Sequence, residues 1–475
     1  MPKSWSGSSV GLHLDLDATS GRRAGLESAL RAAIREGRLN AGTLLPSTRA
    51  LARQLGLARG TVTAAYDQLV EEGHLTARPG SGTRVAALPP TSPDGTRRRA
   101  GAVGAASTGP ATAVVHDLRP GLPDLSMFPS RAWLAATRRV LATAPPEVLG
   151  AGDPQGRIEL RTALADYLGR ARGVTATPDR IVITSGFYHG LSLLSRVLFA
   201  AGARSAAMED PGHDLYRALV RRAGFTVLPL EVDTKGARVD ELTAAVDVAF
   251  LTPSHQYPLG VPLHRDRRRG LVAWARATGG LIIEDDYDGE YRYDRQPVGA
   301  LQGISPDHTV YCGTVSKTLG PALRLAWLLL PTRLVRPVVA AQQEAVLYTE
   351  TLGQLVLAEF ISTHGYDRHI RATRLRYGHR RRLLLERSAA VPKLAVRGVS
   401  AGLHTTLALP ADWPDEERHI LARCADAGLA LRGLGELHHQ PTERPQGLLV
   451  GFAASSERAY PAALDALFSV LTAAR

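Results

Sequence analysis

Lys317, in the segment TVYCGTVSKTLGPALRLAWLLL, is placed to do covalent chemistry. An apolar run delivers Ser316 and Lys317 into a turn, and Arg324 follows seven residues later. A lysine at such a site can form a Schiff base with an aldehyde cofactor. Thr314, Ser316 and Arg324 are suited to hold a phosphate, the arginine through two parallel hydrogen bonds. A surface lysine at a strand end is also common, so the neighbouring segments decide. LIIEDDYDGEY ends an apolar run with Asp285 and Tyr287. A carboxylate there can pair with a pyridinium nitrogen, and the tyrosine can hydrogen-bond a phenolic ring oxygen. Asp285, Asp286 and Asp288 could instead form a plain acidic loop or a metal site. No histidine lies near them in sequence, so no metal is expected. ITSGFYHG puts Gly186 and Phe187 at a strand-to-helix turn, a natural phosphate cradle. LTPSHQYPLG sets His255 and Tyr257 to touch the ring, and EDPGHD offers His213 as a stacking lid.

A second constellation lies upstream, in LNAGTLLPSTRALARQLGLARGTVTAAYDQLVEEGHLTARPGSGTRV. Ser47 is a good N-cap and Gly56 a good terminator, so TRALARQL is a short helix. Leu51 and Leu55 are four apart and face one way. The next helix starts near Arg59 and buries Val62, Tyr66, Leu69 and Val70. Two short helices with a tight turn place the start of the second in a DNA major groove. HLTARPGSGTRV then reads as strand, Gly-rich turn and strand, a wing whose Gly80 and Gly82 permit close approach to DNA. Arg59 could read guanine edges or bind phosphate, and Thr61 and Thr63 can donate to phosphates. Ordinary surface arginines on a small subdomain are the plainer alternative; the ordered set favours DNA.

These residues need elements to position them, and the chain has room. Its 475 residues exceed one ordinary core, and 44% hydrophobic with 21% charged is a globular composition. The net charge of +12 suits a polyanionic partner. The first hundred residues hold 14 Lys and Arg against 8 Asp and Glu, half of that excess. Two distant cysteines, Cys312 and Cys424, allow no disulfide framework or zinc spacing and suit a cytoplasmic location. No apolar stretch follows the first lysine and no run is long enough to span a bilayer, so neither a signal peptide nor a membrane partner is expected. Residues 11–87 read as a DNA-binding domain and 88–115 as a flexible linker rich in Pro, Gly, Ser, Thr and Ala, with Arg97, Arg98 and Arg99 inside it. From 116 to 475, apolar strands alternate with helices. That pattern predicts an α/β fold with a mostly parallel central sheet and ligands at the strand carboxyl ends. Ser185, Asp210, His255, Asp285, Ser316 and Lys317 cluster at those ends.

The upstream segment resembles the GntR family of winged helix-turn-helix regulators over residues 20 to 86, in LPSxRxLAxxLGxxRxTVxxAYxxLxxEGxL and GSGT. The resemblance puts DNA contacts on Arg49, Arg59, Gly60, Thr61, Thr63 and the wing's Gly80. His74 stands where an aromatic is usual. From 117 on, the chain resembles fold type I enzymes of the aspartate aminotransferase class, which hold pyridoxal 5'-phosphate (PLP). Together, with TPSHQYPLG, EDDYDGEYRY and GTVSKTLGPALRL, the chain is identified as a member of the MocR subfamily. By position, Lys317 is then the Schiff-base lysine, Asp285 the pyridinium partner and Tyr287 the partner of the phenolic oxygen. Gly186, Phe187, Ser316 and Arg324 fall on or beside the phosphate site, with Thr314, Tyr257, His255 and His213 around the cofactor.

Two departures shape the functional expectation. His213 replaces a usual tyrosine on the ring. Leu449 stands where aminotransferases carry an arginine for the substrate carboxylate, and Leu215 stands where one amino-acid-sensing relative has a second arginine. A carboxylate facing leucine is poorly bound. The expectation is therefore a PLP-binding regulator rather than an enzyme, PdxR-like, with PLP itself as signal for vitamin B6 genes. An amino-acid- or amine-responsive regulator acting through an external aldimine, and a working aminotransferase, are the alternatives. Arg432 or Arg444 could substitute for the missing arginine. The resemblance further implies a homodimer on double-stranded operator DNA.

Overall fold

A computed structural model describes residues 21–78, 81–87, 114–294, 298–413, 415–440 and 444–473. They fall into two compact units, one within residues 1–108 and the other within 109–475. Gly80 and the linker stretch 88–113, with its three arginines, lie outside the described residues.

The first unit holds helices α1 (Arg22–Arg35), α2 (Thr48–Leu55) and α3 (Arg59–Glu71) and the strands β1 (Leu75–Arg78) and β2 (Gly82–Val85). The Ser47 side chain caps α2 by accepting from the Ala50 N–H at 3.2 Å. Gly56 ends that helix in the left-handed region, at φ 65°, where a side chain would be strained. Leu51 and Leu55 are buried, as their spacing predicts. On α3 the buried residues are Val62, Ala65, Tyr66 and Leu69. Val70 is only half-buried, because one step past Leu69 turns about 100° away from the core stripe. Helix α1, which the sequence patterns did not delimit, adds Leu26, Leu30 and Ala33 to this core. β1 and β2 pair antiparallel from Leu75 opposite Val85 to Arg78 opposite Gly82.

The second unit is built on an eight-stranded sheet. Its strands are β3 (Ile181–Thr184), β4 (Ser205–Asp210), β5 (Thr226–Asp233), β6 (Gly236–Ala237), β7 (Val248–Leu251), β8 (Leu281–Asp285), β9 (Thr309–Thr314) and β10 (Ala326–Leu329). They lie in the order β3-β10-β9-β8-β7-β4-β5-β6. β9, β8, β7, β4 and β5 are mutually parallel; β10 runs antiparallel between β9 and β3. Every residue of β3, β7, β8, β9 and β10 is buried, which their unbroken apolar runs anticipate. β5 lies near the sheet's edge and is mostly exposed. Helices α4 (Ile158–Arg172), α5 (Phe187–Ala200), α6 (Asp214–Arg222) and α7 (Arg265–Thr278) are among those connecting or covering these strands.

A second, four-stranded sheet contains β11 (Ala395–Arg397), β12 (His404–Ala408), β13 (Arg432–Gly433) and β14 (Gly447–Gly451), in the order β11-β12-β14-β13. One buried ion pair ties the main sheet to its flank. The Arg172 guanidinium at the end of α4 reaches Asp286 with contacts of 2.6 and 2.9 Å, and also the Ser254 hydroxyl and the Gly289 carbonyl. The Tyr311 hydroxyl donates to the same carboxylate at 2.7 Å. A buried charge without such partners would be strongly destabilising. The network fixes the backbone one residue beyond Asp285.

Candidate functional site

The carboxyl ends of β4, β7, β8 and β9 open into a cavity of about 490 Å³. His213, Tyr257, Asp285, Tyr287 and Lys317 all line it, together with Glu209, Thr252, Tyr216, Gly121 and Arg432. The parallel sheet creates this convergence: each strand ends on the same side, and each following turn carries a polar residue inward. Lys317 lies just past β9, and its ammonium donates to the Gly121 carbonyl at 2.7 Å. No sequence pattern pointed to Gly121, which is 196 residues away. Burial lowers the Lys317 pKa below that of an ordinary lysine, against the pull of Asp285 and Asp288. That favours the neutral, nucleophilic amine.

Asp285 ends β8 with its carboxyl in the cavity. Burial pushes its pKa well above the usual carboxylate range, Lys317 opposing and Asp286 and Asp288 reinforcing the rise. An adjacent cation would favour its ionised form and offset that rise. Glu209, also on the wall, is held up to about 7 by burial although Thr252 donates to it at 2.6 Å. His213, at the start of α6, stacks on Tyr216 with ring centres 3.7 Å apart and planes within 12°. Burial pushes its imidazole down to about 3, so the ring is neutral across the physiological range. Tyr216 sits three residues on, a helical spacing that could have marked it as the histidine's partner.

His255 was expected against a cofactor ring. It lies one layer back, outside the cavity lining, with its Nδ1 3.1 Å from the Tyr287 hydroxyl and 2.9 Å from Asp288. The Tyr287 hydroxyl also donates to the His255 carbonyl at 3.2 Å. Asp288, His255 and His404 bring three possible metal-donor atoms within 4.8 Å of one another. This cluster went unseen in the sequence because His404 is remote from Asp288. The His255–Asp288 hydrogen bond pairs two of the three groups without an ion.

The phosphate-type residues gather beside the cavity. Gly186 precedes α5 at φ 88°, and a Cβ there would come within 2.9 Å of the Arg324 guanidinium. Arg324 also donates to the Ser185 carbonyl. Phe187 is buried against Tyr216, with ring centres 4.9 Å apart, and fixes the start of the helix. The first-turn N–H groups of α5 have no helical partner and carry the positive end of the helix dipole. Thr314 and Ser316 hydroxyls lie 2.9 Å apart, with the Ser316 N–H donating to Thr314 at 3.1 Å. An amine, a buried acid, aromatic walls and an arginine beside an open helix start are the kinds of group that PLP would need.

In the first unit, Arg49, Arg59 and Gly60 are exposed and Thr61 and Thr63 half-exposed, all at or near the start of α2 or α3. The N-cap of α3 is Ala58, which makes no side-chain cap, so this helix start is open to an anion. Arg84 instead donates to the Gly42 carbonyl at 2.9 Å, a structural contact.

Residues 23–85 match the family model described as bacterial regulatory proteins, gntR family, and residues 121–428 match aminotransferase class I and II. The chain is 32% identical to the HTH-type pyridoxine biosynthesis transcriptional regulator PdxR of Corynebacterium glutamicum, over 91% of this chain and 92% of the relative. It is 32% identical to the probable rhizopine catabolism regulatory protein MocR of Rhizobium meliloti, over 97% and 96%. Among solved structures, a Pyrococcus horikoshii kynurenine aminotransferase superposes with a TM-score of 0.69 at 23% identity, covering 76% of this chain and 92% of that one. That likeness concerns the fold.

Two outcomes follow from the geometry. PLP loading of Lys317, followed by absorbance, should speed up as pH rises and level off below the pH at which an ordinary lysine deprotonates, because burial lowers this amine's pKa. A half-rise at or above 10.5, the ordinary value, would contradict it. Arg59→Ala should weaken operator binding by about 1–3 kcal/mol at fixed salt if it reads a base, or flatten the salt dependence by about one charge if it meets a phosphate. Unchanged binding at physiological salt would remove Arg59 from the interface.

Proposed function

The chain belongs to the MocR-type GntR regulators, and from that premise we propose that it holds PLP on Lys317 and that cofactor occupancy sets its grip on operator DNA. One observation carries the reading: the Lys317 amine and the buried Asp285 carboxyl face the same cavity. When bound, PLP supplies an aldehyde carbon and an electron-withdrawing pyridinium ring. Lys317 would hold the aldehyde carbon. Asp285 would keep the ring nitrogen protonated, and that cation would relieve the cost of burying the carboxylate. Tyr287, oriented by His255, and Tyr257 would face the ring oxygen. The neutral His213, backed by Tyr216, would cover one ring face. The start of α5, with Gly186, Ser316 and Arg324, would take the phosphate.

On this reading residues 11–87 form the DNA-binding head, 88–115 the linker and 116–475 the sensing body. Arg49, Arg59, Gly60, Thr61 and Thr63 contact the operator, as would Gly80. A regulator of this kind works in the cytoplasm as a homodimer, whose two heads match a two-fold operator. No helix among the described residues is long and apolar enough to cross a membrane. Support for a dimer comes from exposed apolar side chains on the body: Leu134, Leu141, Leu149, Leu347 and Tyr348. A Cβ on Gly152 would meet the Tyr348 ring at 2.8 Å, which brings the segment after Leu149 beside Tyr348. Patches of this kind mark interfaces.

Sensing rather than catalysis is supported by Leu449. Its side chain is fully buried against Tyr257 and Tyr287, so no carboxylate-binding guanidinium stands at that position. The name of the C. glutamicum relative points to vitamin B6 genes as the regulated set. PLP must then bind the two states of the protein with different affinity, since a ligand shifts an equilibrium only by that difference.

A gel-shift titration at fixed salt tests this. PLP alone should change operator affinity in the wild type and leave Lys317→Ala unresponsive. A response that needs an added amine, with PLP alone inert, would favour the amine-effector reading. Steady transamination of an amino donor, lost in Lys317→Ala, would favour an enzyme.

A further inference from the structure

β13 and β14 pair antiparallel, and Arg432 lies directly opposite Leu449. Cross-strand partners project from the same face of a sheet. Leu449 belongs to one buried apolar cluster with Tyr257 and Tyr287, two residues of the cavity wall. Arg432 lines the same cavity, one strand away from Leu449, and its guanidinium interacts with the Tyr257 hydroxyl. Its other partners are two carboxylates of this chain. Asp214 meets it at 2.7 Å and Glu436 at 3.2 Å.

We infer that Arg432 is an anion receptor of the cavity, occupied in this structure by the chain's own Asp214, and that the carboxylate of a small organic acid or amino acid binds by taking Asp214's place. The inference rests on the PLP reading only in that the cofactor would share the cavity; carboxylate exchange itself needs no cofactor. Three features support exchange over a fixed brace. The Arg432 side chain retains 24% of its exposure and Asp214 32%, and Glu436 is largely exposed, so the ion pairs are partly solvated and weakly held. One Asp214 oxygen, Oδ1, is buried without a hydrogen-bond partner among the described residues, so the aspartate is not fully satisfied where it stands. The cavity beside the guanidinium offers about 490 Å³. Asp214 is also the residue after His213 and opens α6. Its release acts on the helix start that carries the cavity's imidazole wall, and so gives a carboxylate ligand a route to change the body's conformation.

The test is calorimetric titration of the full-length protein, with and without PLP, in low-salt buffer free of carboxylates. The probes are propionate, β-alanine and propylamine. Propionate and β-alanine should bind and compete with each other; propylamine should not compete with propionate. Arg432→Ala should weaken propionate binding by roughly tenfold or more, and Arg432→Lys by less, because a single ammonium lacks the planar fork. Asp214→Asn should strengthen it, because the competing internal carboxylate is gone while the side chain keeps its size. This gain distinguishes a receptor from a structural brace and does not depend on the arginine variants folding. Propionate affinity unchanged in Arg432→Ala, or weakened in Asp214→Asn, overturns the inference. PLP content is read separately by absorbance. Loss of loading with carboxylate binding intact contradicts the PLP reading and leaves this one standing.

Discussion

The body depends on keeping the Asp285 carboxyl in a buried wall at the end of a central strand. Burial there makes the carboxylate form costly. The rest of the site answers that cost. β8 is flanked on both sides by parallel strands, which leaves Asp285 no route to solvent except the cavity. Arg172 and Tyr311 neutralise and pin the adjoining Asp286, so the acid next in sequence does not move in to compete. His255 engages Asp288 and Tyr287 behind the wall. What faces the cavity is two buried acids, Asp285 and Glu209, and the half-buried Lys317 amine; a cation bound beside Asp285 would offset the cost of its charge.

The same logic bears on how the cavity grips a ligand. An enzyme of this fold gains by gripping the substrate's far end, because remote binding energy holds the reacting centre in place. Here Leu449 is buried in one apolar cluster with Tyr257 and Tyr287, and the Arg432 guanidinium opposite it on the neighbouring strand holds carboxylates of its own. A partly solvated internal ion pair is a weak latch, and weak latches suit population shifts that a small ligand must drive.

Much of this was legible in the sequence, for physical reasons. Strands buried on both faces are mostly apolar, so VAFL, LIIED and TVYCGT read plainly, and their carboxyl ends and following turns carried Lys317, Asp285 and Tyr287 into view. The helix pair of the head was equally plain, since Ser47 and Gly56 can each do little else at those positions. What the sequence leaves open shares a cause. Nearness in sequence does not say which of His255 and Tyr257 faces the cavity, and the structure puts Tyr257 in its lining and His255 against the Tyr287 hydroxyl. Gly121 and the His255–Asp288–His404 group come together only through tertiary folding, whereas Tyr216 lies one helical turn from His213. Arg432 was one of two candidates for the missing arginine, and only the register opposite Leu449 singles it out. Helix α1 carries apolar residues in its core stripe but no strong cap, its N-cap being Gly21 without a side-chain bond.

The most direct test of the account is to find which lysine carries the cofactor. The chain contains four lysines: Lys3, Lys235, Lys317 and Lys393. Borohydride reduction of the PLP-loaded protein, followed by peptide mass mapping, fixes the label covalently where it sits. The account predicts a phosphopyridoxyl group on the Lys317 peptide alone, at close to one per chain. Label on Lys235 or Lys393 in comparable amount, or none on Lys317, would contradict it.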